Sequence, residues 1–247
     1  MPPHSDSPVL LLARGSLMCS AKLAAVKEFV SLLGVAWDNR KYRQALRRQE
    51  REKLGVHSWY RGLDRALAQQ YRWLGPFAVS RWGKRAVGLP KEDLIYGETP
   101  ILTAWHILEL LGVDQADHVV ELGAGRSLFS LVAVAAFGTT ATSVEIVPAF
   151  VTRTRKVARA LGLERLKARQ GNVLNLPLEE GTVYFVTATT FAADSWLSLN
   201  QRLSEAPSGT RAVSLSAPLT RAYWRVESQE RLPFSWGENT VYFQTRV

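Results

Sequence analysis

The sequence predicts an α/β fold with a mostly parallel sheet, preceded by a helical N-terminal extension. The first observation is that short apolar runs alternate with helical patterns from about residue 94 onward. Such alternation is typical of parallel strands covered by helices on both faces. The second is a glycine-rich turn between an apolar run and a helical pattern, the local context of a nucleotide-cofactor site. The third is a pair of strand patterns with a short turn at the end of the chain.

Residues 1–90 form the predicted extension, and it carries nearly all of the net charge. Positions 40–85 hold 13 Lys and Arg against 3 acidic residues, or +10, whereas the rest of the chain amounts to −1. In this stretch Arg40, Arg43, Arg47 and Arg51 recur at spacings that place them on one side of a helix. Segment 38–85 is therefore expected to meet an anionic partner, either nucleic acid or a membrane surface. A solvated helix face is the competing interpretation.

Three helices are predicted in the extension. Residues 16–33 have the pattern of an amphipathic covering helix. Residues 38–53 form the next helix, with Asp38 as a plausible N-cap. The third runs from residue 58 to 74 and ends at Gly75-Pro76. Its tryptophan and tyrosine residues interleave with arginines, a composition that suits phosphate contacts with some stacking.

Compartment and metal content are also constrained. A single cysteine, Cys19, excludes an intramolecular disulfide framework and fits a reducing, cytoplasmic location, with possible attachment to a membrane or nucleic acid. The apolar run 9–13 is too short to span a bilayer, and no basic region precedes it, so no secretory signal is expected. The four histidines lack metal-ligand spacing, so no metal site is expected.

The second predicted domain comprises residues 91–247, and a linker at 88–93 leads into it. Thr99 is expected to cap its first helix, with Pro100 in the first turn. Strands are predicted at 118–122, 140–146, 166–170, 182–189, 211–217, 224–234 and 240–246. Helices are predicted at 127–137, 148–161 and 194–204, and a turn at 236–239 joins the last two strands.

The glycine-rich turn contains Gly123 and Gly125, which allow a tight turn and close approach of the backbone to a ligand. Glu145 follows at the end of the next strand, at the distance where a carboxylate accepts both hydroxyls of a ribose. The loop departs from the dinucleotide fingerprint, because Arg126 and Ser127 follow it where a third glycine would stand. Glu121 would repel a pyrophosphate but suits a cation, so S-adenosylmethionine fits better than a nicotinamide dinucleotide. An ordinary glycine turn is the alternative.

Several motifs together resemble the class I, Rossmann-like methyltransferases, and more narrowly the disruptor-of-telomeric-silencing type of protein-lysine methyltransferase, which lacks a SET domain. They are Tyr96-Gly97-Glu98-Thr99, Val120-Glu121-Leu122-Gly123-Ala124-Gly125, Val144-Glu145 and Gly171-Asn172-Val173-Leu174. The resemblance covers about residues 94–247. It implies a sheet that ends in an antiparallel pair and a site for S-adenosylmethionine. The residues it implies for the cofactor are Tyr96, Gly97, Glu98, Thr99, Glu121, Gly123, Ala124, Gly125, Ser127, Glu145, Asn172 and Val173.

The acceptor is less well determined than the cofactor. The resemblance implies a protein lysine and a protein partner, but the family's Asn-Asn-Phe segment after the fourth strand is replaced here by residues 187–191. Thr187, Thr189 and Phe191 are the candidate catalytic residues, since they offer hydroxyls and an apolar wall for the acceptor channel. RNA or a small molecule is the alternative acceptor. A binding module for nucleic acid or membrane that has lost catalysis is the alternative from another class.

Overall fold

The structure is a computed structural model and describes residues 39–83, 96–178, 180–187, 189 and 191–247. Two compact units divide the chain, Met1–Ala45 and Leu46–Val247. The predicted covering helix at 16–33, the N-cap Asp38 and the linker at 88–93 lie outside the described residues. The predicted division near residue 90 therefore stays a prediction. Residues 46–83 nevertheless belong to the same compact unit as the sheet.

The helices before the sheet are α1 (residues 39–54), α2 (Ser58–Gln70), α3 (Pro76–Gly83) and α4 (Ile101–Leu110). The prediction of a single helix to residue 74 was wrong at its end. The helix stops at Gln70, and Pro76 begins a second helix. Proline is unfavourable inside a helix but favourable in its first turn, so it can start a new helix where a helix end was predicted. Leu63 and Leu67 of α2 are buried in the main apolar cluster beneath the sheet.

The start of α4 is capped by a residue that lies far away in the sequence. Pro100, and not Thr99, is the N-cap residue and makes no side-chain cap hydrogen bond of its own, so the prediction of Thr99 as N-cap was wrong. Glu50 of α1 accepts the N–H of Leu102 at 3.3 Å. Burial raises the pKa of Glu50 above its usual range. Its position at a helix N-terminus favours a carboxylate, because the helix dipole is positive there.

One seven-stranded sheet with the order β3-β2-β1-β4-β5-β7-β6 forms the centre of the second unit. Strands β1 to β5 pair in parallel, and β7 pairs antiparallel with both β5 and β6. The predicted mostly parallel sheet with an antiparallel end is confirmed. The strands are β1 (His118–Leu122), β2 (Thr140–Glu145), β3 (Leu166–Gln170), β4 (Val183–Val186), β5 (Arg211–Leu215), β6 (Trp224–Phe234) and β7 (Gly237–Arg246).

The last hairpin is tighter than predicted. Phe234 pairs with Gly237, so the turn consists of Ser235 and Trp236 alone, and the predicted turn at 236–239 was wrong. Gly237 has φ +127°, in a region that side chains disfavour, which lets β7 begin directly after the turn. The shorter turn brings Ser235 and Trp236 to the edge of the functional cleft described below.

Helices α5 (Leu128–Phe137), α6 (Pro148–Ala160) and α7 (Ala193–Leu203) complete the α/β unit. Alternate residues of the strands point to opposite faces. Val119 therefore packs in a cluster with α2, α4 and α5, whereas Val120 packs in a second cluster with α7. Within the described residues, every helix is too short or too polar to cross a membrane.

Candidate functional site

The carboxyl ends of β1, β2 and β4 meet where the strand order reverses, the place where open α/β sheets bind ligands. A cleft of about 270 Å³, open solvent included, lies there. Its walls come from the segment before α4, the loop after β1 and the position after β4. They are Tyr96, Gly97, Glu98, Thr99, Glu121, Gly123, Ala124, Arg126, Leu128 and Thr187. The sequence predicts all of these as site residues except Arg126 and Leu128.

The loop after β1 adopts a conformation that glycine takes without strain. Gly123 and Gly125 have φ of +76° and +52°. The N–H groups of Gly123 and Ala124 both donate to the carbonyl of Val144 at 3.0 Å, which fixes the loop to the end of β2. A Cβ added to Gly125 would lie 2.8 Å from Cε2 of Tyr96. The loop therefore depends on glycine for its shape and for its contact with the tyrosine ring.

Ser127 is the N-cap residue directly before α5 and has a left-handed conformation, with φ +55°. Its hydroxyl oxygen is buried, 3.2 Å from that of Thr154 on α6, and does not line the cleft. The hydroxyl thus joins two helices. A contact of Ser127 with the cofactor remains a prediction.

Glu145 stands at the end of β2, as the sequence predicts, and both of its carboxylate oxygens face backbone donors. Oε2 accepts the N–H of Gly125 and Oε1 that of Val147, each at 2.7 Å. These bonds tie the glycine loop to the start of α6. A carboxylate has about four lone-pair sites, so it can accept more than these two bonds, and the sequence predicts that it also accepts ribose hydroxyls. That contact stays a prediction.

Glu121 is the most deeply buried carboxylate of the cleft, with 3% of its surface exposed. Its Oε2 accepts the N–H of Ser130 at 2.9 Å and the hydroxyl of Ser130 at 2.7 Å. Burial raises the pKa of Glu121 to about 7, although these hydrogen bonds oppose the rise. The charge of this carboxyl therefore responds to small changes in its surroundings near neutral pH.

Tyr96, Glu98 and Arg126 form a buried cluster above the glycine loop. The Tyr96 hydroxyl donates to Oε1 of Glu98 at 2.5 Å, and Nε of Arg126 lies 3.0 Å from the same oxygen. The guanidinium also lies over the ring of Tyr71, 5.1 Å from its centroid, in cation–π geometry. Burial, with Glu98 adding to it, raises the pKa of Tyr96 well above its usual value, so Tyr96 stays a hydrogen-bond donor.

The β6–β7 turn holds this cluster from the other side. The N–H of Glu98 donates to the hydroxyl of Ser235 at 2.8 Å, and the N–H of Ser235 donates to the carbonyl of Glu98 at 3.0 Å. The ring of Trp236 lies against Gly97 so closely that a Cβ at this glycine would clash. Sequence reasoning missed both turn residues, because 137 positions separate Glu98 from Ser235. It also missed the pairing of Arg126, for which the departure from the third glycine was the available signal.

The residues after β3 do not line the cleft. Oδ1 of Asn172 accepts the N–H of Leu174 at 2.9 Å and so stabilises the local turn. Val173 packs against the apolar cluster that includes α7. Their predicted contacts with the cofactor remain predictions.

The three candidate catalytic residues occupy different surroundings. The hydroxyl of Thr187 lines the cleft and lies within donating distance of the carbonyls of Leu122 and Gly123, at 3.2 and 3.1 Å. Because the proton is directed to the backbone, the oxygen lone pairs are left to accept from a ligand. Thr189 is half-buried, and Phe191 packs against the α7 cluster. Of the three, the structure brings only Thr187 to the cleft.

Several solved structures share this fold. The RNA methyltransferase from Salinibacter ruber, in complex with S-adenosyl-L-homocysteine, is 27% identical, with a TM-score of 0.52 over 60% of this chain and 92% of that one. TrmN from Thermus thermophilus is 16% identical, with a TM-score of 0.55 over 64% of this chain. The match spans about half of the TrmN chain, 52%. Geranyl diphosphate C-methyltransferase from Streptomyces coelicolor A3(2) is 15% identical, with a TM-score of 0.50 over 60% of this chain and 76% of that one.

No protein-family model and no curated protein matches the chain. The seven-stranded, mostly parallel sheet with its antiparallel end strands agrees with these likenesses. The chain has the fold of the class I S-adenosylmethionine-dependent methyltransferases.

Proposed function

We propose that the protein is a methyltransferase that transfers the methyl group of S-adenosylmethionine to RNA. The observation that carries the enzyme class is the cleft at the strand switch, where a left-handed glycine loop lies beside buried carboxylates. The Salinibacter RNA methyltransferase, which binds the product form of this cofactor, supports both the cofactor and the acceptor class. The net charge of +9 also favours an anionic acceptor.

The cleft residues fit the charges of the cofactor. S-adenosylmethionine supplies an electrophilic methyl group on a positively charged sulfur, next to an amino acid end that bears an ammonium and a carboxylate. Glu121 offers a carboxylate for the positive groups, and Arg126 offers a guanidinium for the negative one. The tight turn at Gly123 allows the ligand to approach the backbone directly.

Transfer requires that the acceptor nitrogen or carbon lie in line with the methyl group and the sulfur. Thr187 stands at the end of β4, on the same edge as Glu121, and its hydroxyl is fixed by two carbonyls. A fixed hydroxyl oxygen can accept a hydrogen bond from the acceptor and so hold it in position. We therefore assign Thr187 the role of orienting the acceptor.

A protein lysine is the second candidate acceptor. It is favoured by the Tyr96–Thr99 segment, which lies over the glycine loop and is the feature that resembles the lysine methyltransferases. A lysine must lose its proton before transfer, and a desolvated channel favours the loss by lowering the amine pKa. The chain departs from those enzymes at residues 187–191.

Tritiated-methyl transfer to cell lysate distinguishes the candidates. We expect label in material that ribonuclease digests and protease leaves intact, and none with the variant Gly123→Val, whose side chain would strain the loop. Label that protease removes would establish the lysine candidate instead, and label that extracts as a small molecule would overturn both. A folded protein that binds the cofactor but labels nothing would favour the binding module.

The arginines of α1 test how the acceptor docks. Arg40, Arg47 and Arg51 are exposed, and Arg43 is half-buried on the same helix. Changing all four to Glu should weaken RNA association and flatten its dependence on salt, because fewer counterions are released. Calorimetric affinity for S-adenosylmethionine should change by no more than about two-fold, because none of the four arginines is among the residues that line the cleft. Methyl transfer at wild-type rates at low and high salt would show that these arginines only face solvent.

A further inference from the structure

A second surface beside the cleft combines exposed apolar and basic side chains. We call it the Trp–Arg surface, and its members are Arg72, Trp73, Leu74, Phe77, Arg81 and Trp82. Trp73 is 86% exposed and Trp82 70% exposed, and four of the ten large apolar side chains that stand exposed among the described residues fall within 73–82. Exposed apolar side chains that occur singly need no explanation, but a concentration of this kind marks a binding surface.

The surface belongs to a well-packed part of the molecule. Val79 of α3 is buried against Val147 and Phe150 at the start of α6. Phe77 contacts the ring of Tyr96 edge-on, with 5.2 Å between centroids, and Tyr96 in turn lines the cleft. Phe77 and Val79 thus anchor the segment that carries the exposed side chains next to the cleft, and little ordering of its backbone would be required when a partner binds.

The charge of the surface selects an anionic partner. Residues 65–83 include Arg65, Arg72 and Arg81 and no acidic residue. The guanidinium of Arg72 lies over the Trp73 ring at 4.6 Å from its centroid, so a positive charge is held directly beside one face of the tryptophan. Acidic proteins, nucleic acids and anionic lipids would all be attracted by these basic side chains. The residue types between Arg72 and Arg81 indicate which of them fits best.

The side chains between the arginines favour a lipid bilayer over RNA. Positions 73–79 carry only Trp, Leu, Gly, Pro, Phe, Ala and Val, and the hydroxyl residue that follows, Ser80, is buried. RNA recognition needs hydrogen bonds to bases and riboses as well as stacking, and Leu74 cannot stack. Tryptophan, leucine and arginine together are the composition of segments that lie in the membrane interface.

We propose that the Trp–Arg surface docks the protein peripherally on an anionic lipid bilayer, with Trp73 and Trp82 entering the interface and the arginines contacting lipid phosphates. Docking in this way would bring the bilayer to the side of the cleft that Tyr96 and Phe77 border. The proposal concerns a membrane surface alone and does not depend on the acceptor of the methyl group.

Vesicle flotation with the full chain tests it. We expect binding to phosphatidylcholine vesicles that contain phosphatidylserine, weaker binding at high salt, and little binding to phosphatidylcholine alone. The double variant Trp73→Ser/Trp82→Ser should lose roughly ten-fold in affinity per tryptophan, the effect of withdrawing about a quarter of a large aromatic side chain from the interface. The matched control is Leu197→Ser/Tyr223→Ser, which removes two other exposed apolar side chains and should bind as wild type does.

A second pair of variants separates the charge contribution. Arg72→Ala/Arg81→Ala should lower vesicle affinity by about five-fold per arginine, whereas Arg159→Ala/Arg221→Ala, exposed elsewhere, should leave it unchanged. Thermal midpoints equal to that of wild type will confirm that all variants fold. Absence of binding to the anionic vesicles overturns the proposal, and so does binding that the tryptophan changes leave intact. Loss of binding to a single-stranded RNA oligonucleotide in the tryptophan variant, without loss of vesicle binding, overturns it in favour of a nucleic-acid surface.

Discussion

Replacing Glu121 with glutamine removes a carboxyl group that is almost fully buried at the end of β1. The amide oxygen of glutamine can still accept from the N–H and hydroxyl of Ser130, which lie 2.9 and 2.7 Å from Oε2 in the wild type. The change therefore keeps the shape and the hydrogen bonds of this position. What it removes is the ability to ionise, and the consequences should appear in the dependence of stability on pH.

Burial raises the pKa of Glu121 from 4.5 to about 7, so the folded protein binds this proton more tightly than the unfolded chain does. The stability from this proton is fully present below about pH 4.5 and is lost as the pH rises through about 7. The gap corresponds to about 3 kcal/mol, at about 1.4 kcal/mol per pH unit. Glu121→Gln has no proton to lose. We therefore expect it to exceed wild type in stability by up to about 3 kcal/mol above pH 7.

Urea denaturation of both proteins between about pH 4.5 and about pH 8 measures this difference. The exposed Glu205→Gln is the matched control, and its curve should follow that of wild type. Ser130→Ala, which removes the 2.7 Å donor, should move the loss of stability to higher pH. Curves for wild type and Glu121→Gln that run parallel over the whole range would refute the raised pKa of this carboxyl.

Three further changes test the cleft. Gly125→Ala, at φ +52°, places a Cβ 2.8 Å from the ring of Tyr96 and should weaken the binding of S-adenosylmethionine measured by calorimetry. The control Gly209→Ala, at φ +86° in open space, should leave the affinity unchanged. Equal affinities of the two variants would show that the loop does not contribute to cofactor binding. Arg126→Met leaves Glu98 buried without its cation and should lower the free energy of unfolding, measured in urea, by about 3–5 kcal/mol. Adding Glu98→Gln to the same chain should restore part of this stability. A decrease below about 1 kcal/mol would contradict the buried ion pair. Glu145→Ala should weaken cofactor binding by about 1–3 kcal/mol. It should also lower the stability of the fold, because two backbone N–H groups lose their acceptor. Unchanged binding would contradict the predicted contact of Glu145 with the ribose.

The sheet could be predicted because its determinants are local. A run such as His118–Leu122 is apolar, short and followed by glycine, and the structure gives this strand the predicted bounds. β6 at Trp224–Phe234 and β3 at Leu166–Gln170 also have the predicted bounds. Predictions of helix bounds failed where the same residue types are compatible with both the end of one helix and the start of another. Gly75-Pro76 is both a helix end and the start of α3, and the sequence pattern alone cannot distinguish them.

The cleft could be predicted only in part, because some of its contacts join distant positions. Gly123, Gly125 and Glu121 follow from one strand–loop–helix pattern; the structure places Glu121 and Gly123 in the wall of the cleft and Gly125 against Tyr96. The contacts of Ser235 and Trp236 with the Tyr96–Thr99 segment exist only after β6 and β7 have paired. No local pattern encodes them, since they depend on the length of a hairpin at the other end of the domain.

The three carboxylates of this region differ in what balances their charge, and this difference bears on how the cleft would treat its ligand. Glu98 faces the guanidinium of Arg126 at 3.0 Å, and Glu145 faces two backbone N–H groups. Glu121 lines the cleft with Ser130 as its hydrogen-bond donor, and within the described residues no ion pair joins it to a basic side chain. A cation in the cleft therefore gains most from Glu121, and its arrival favours the ionised form of that carboxyl. Under the proposed function, Glu121 should therefore hold S-adenosylhomocysteine, which lacks the sulfonium charge, less strongly than S-adenosylmethionine, and this difference would favour exchange after each transfer.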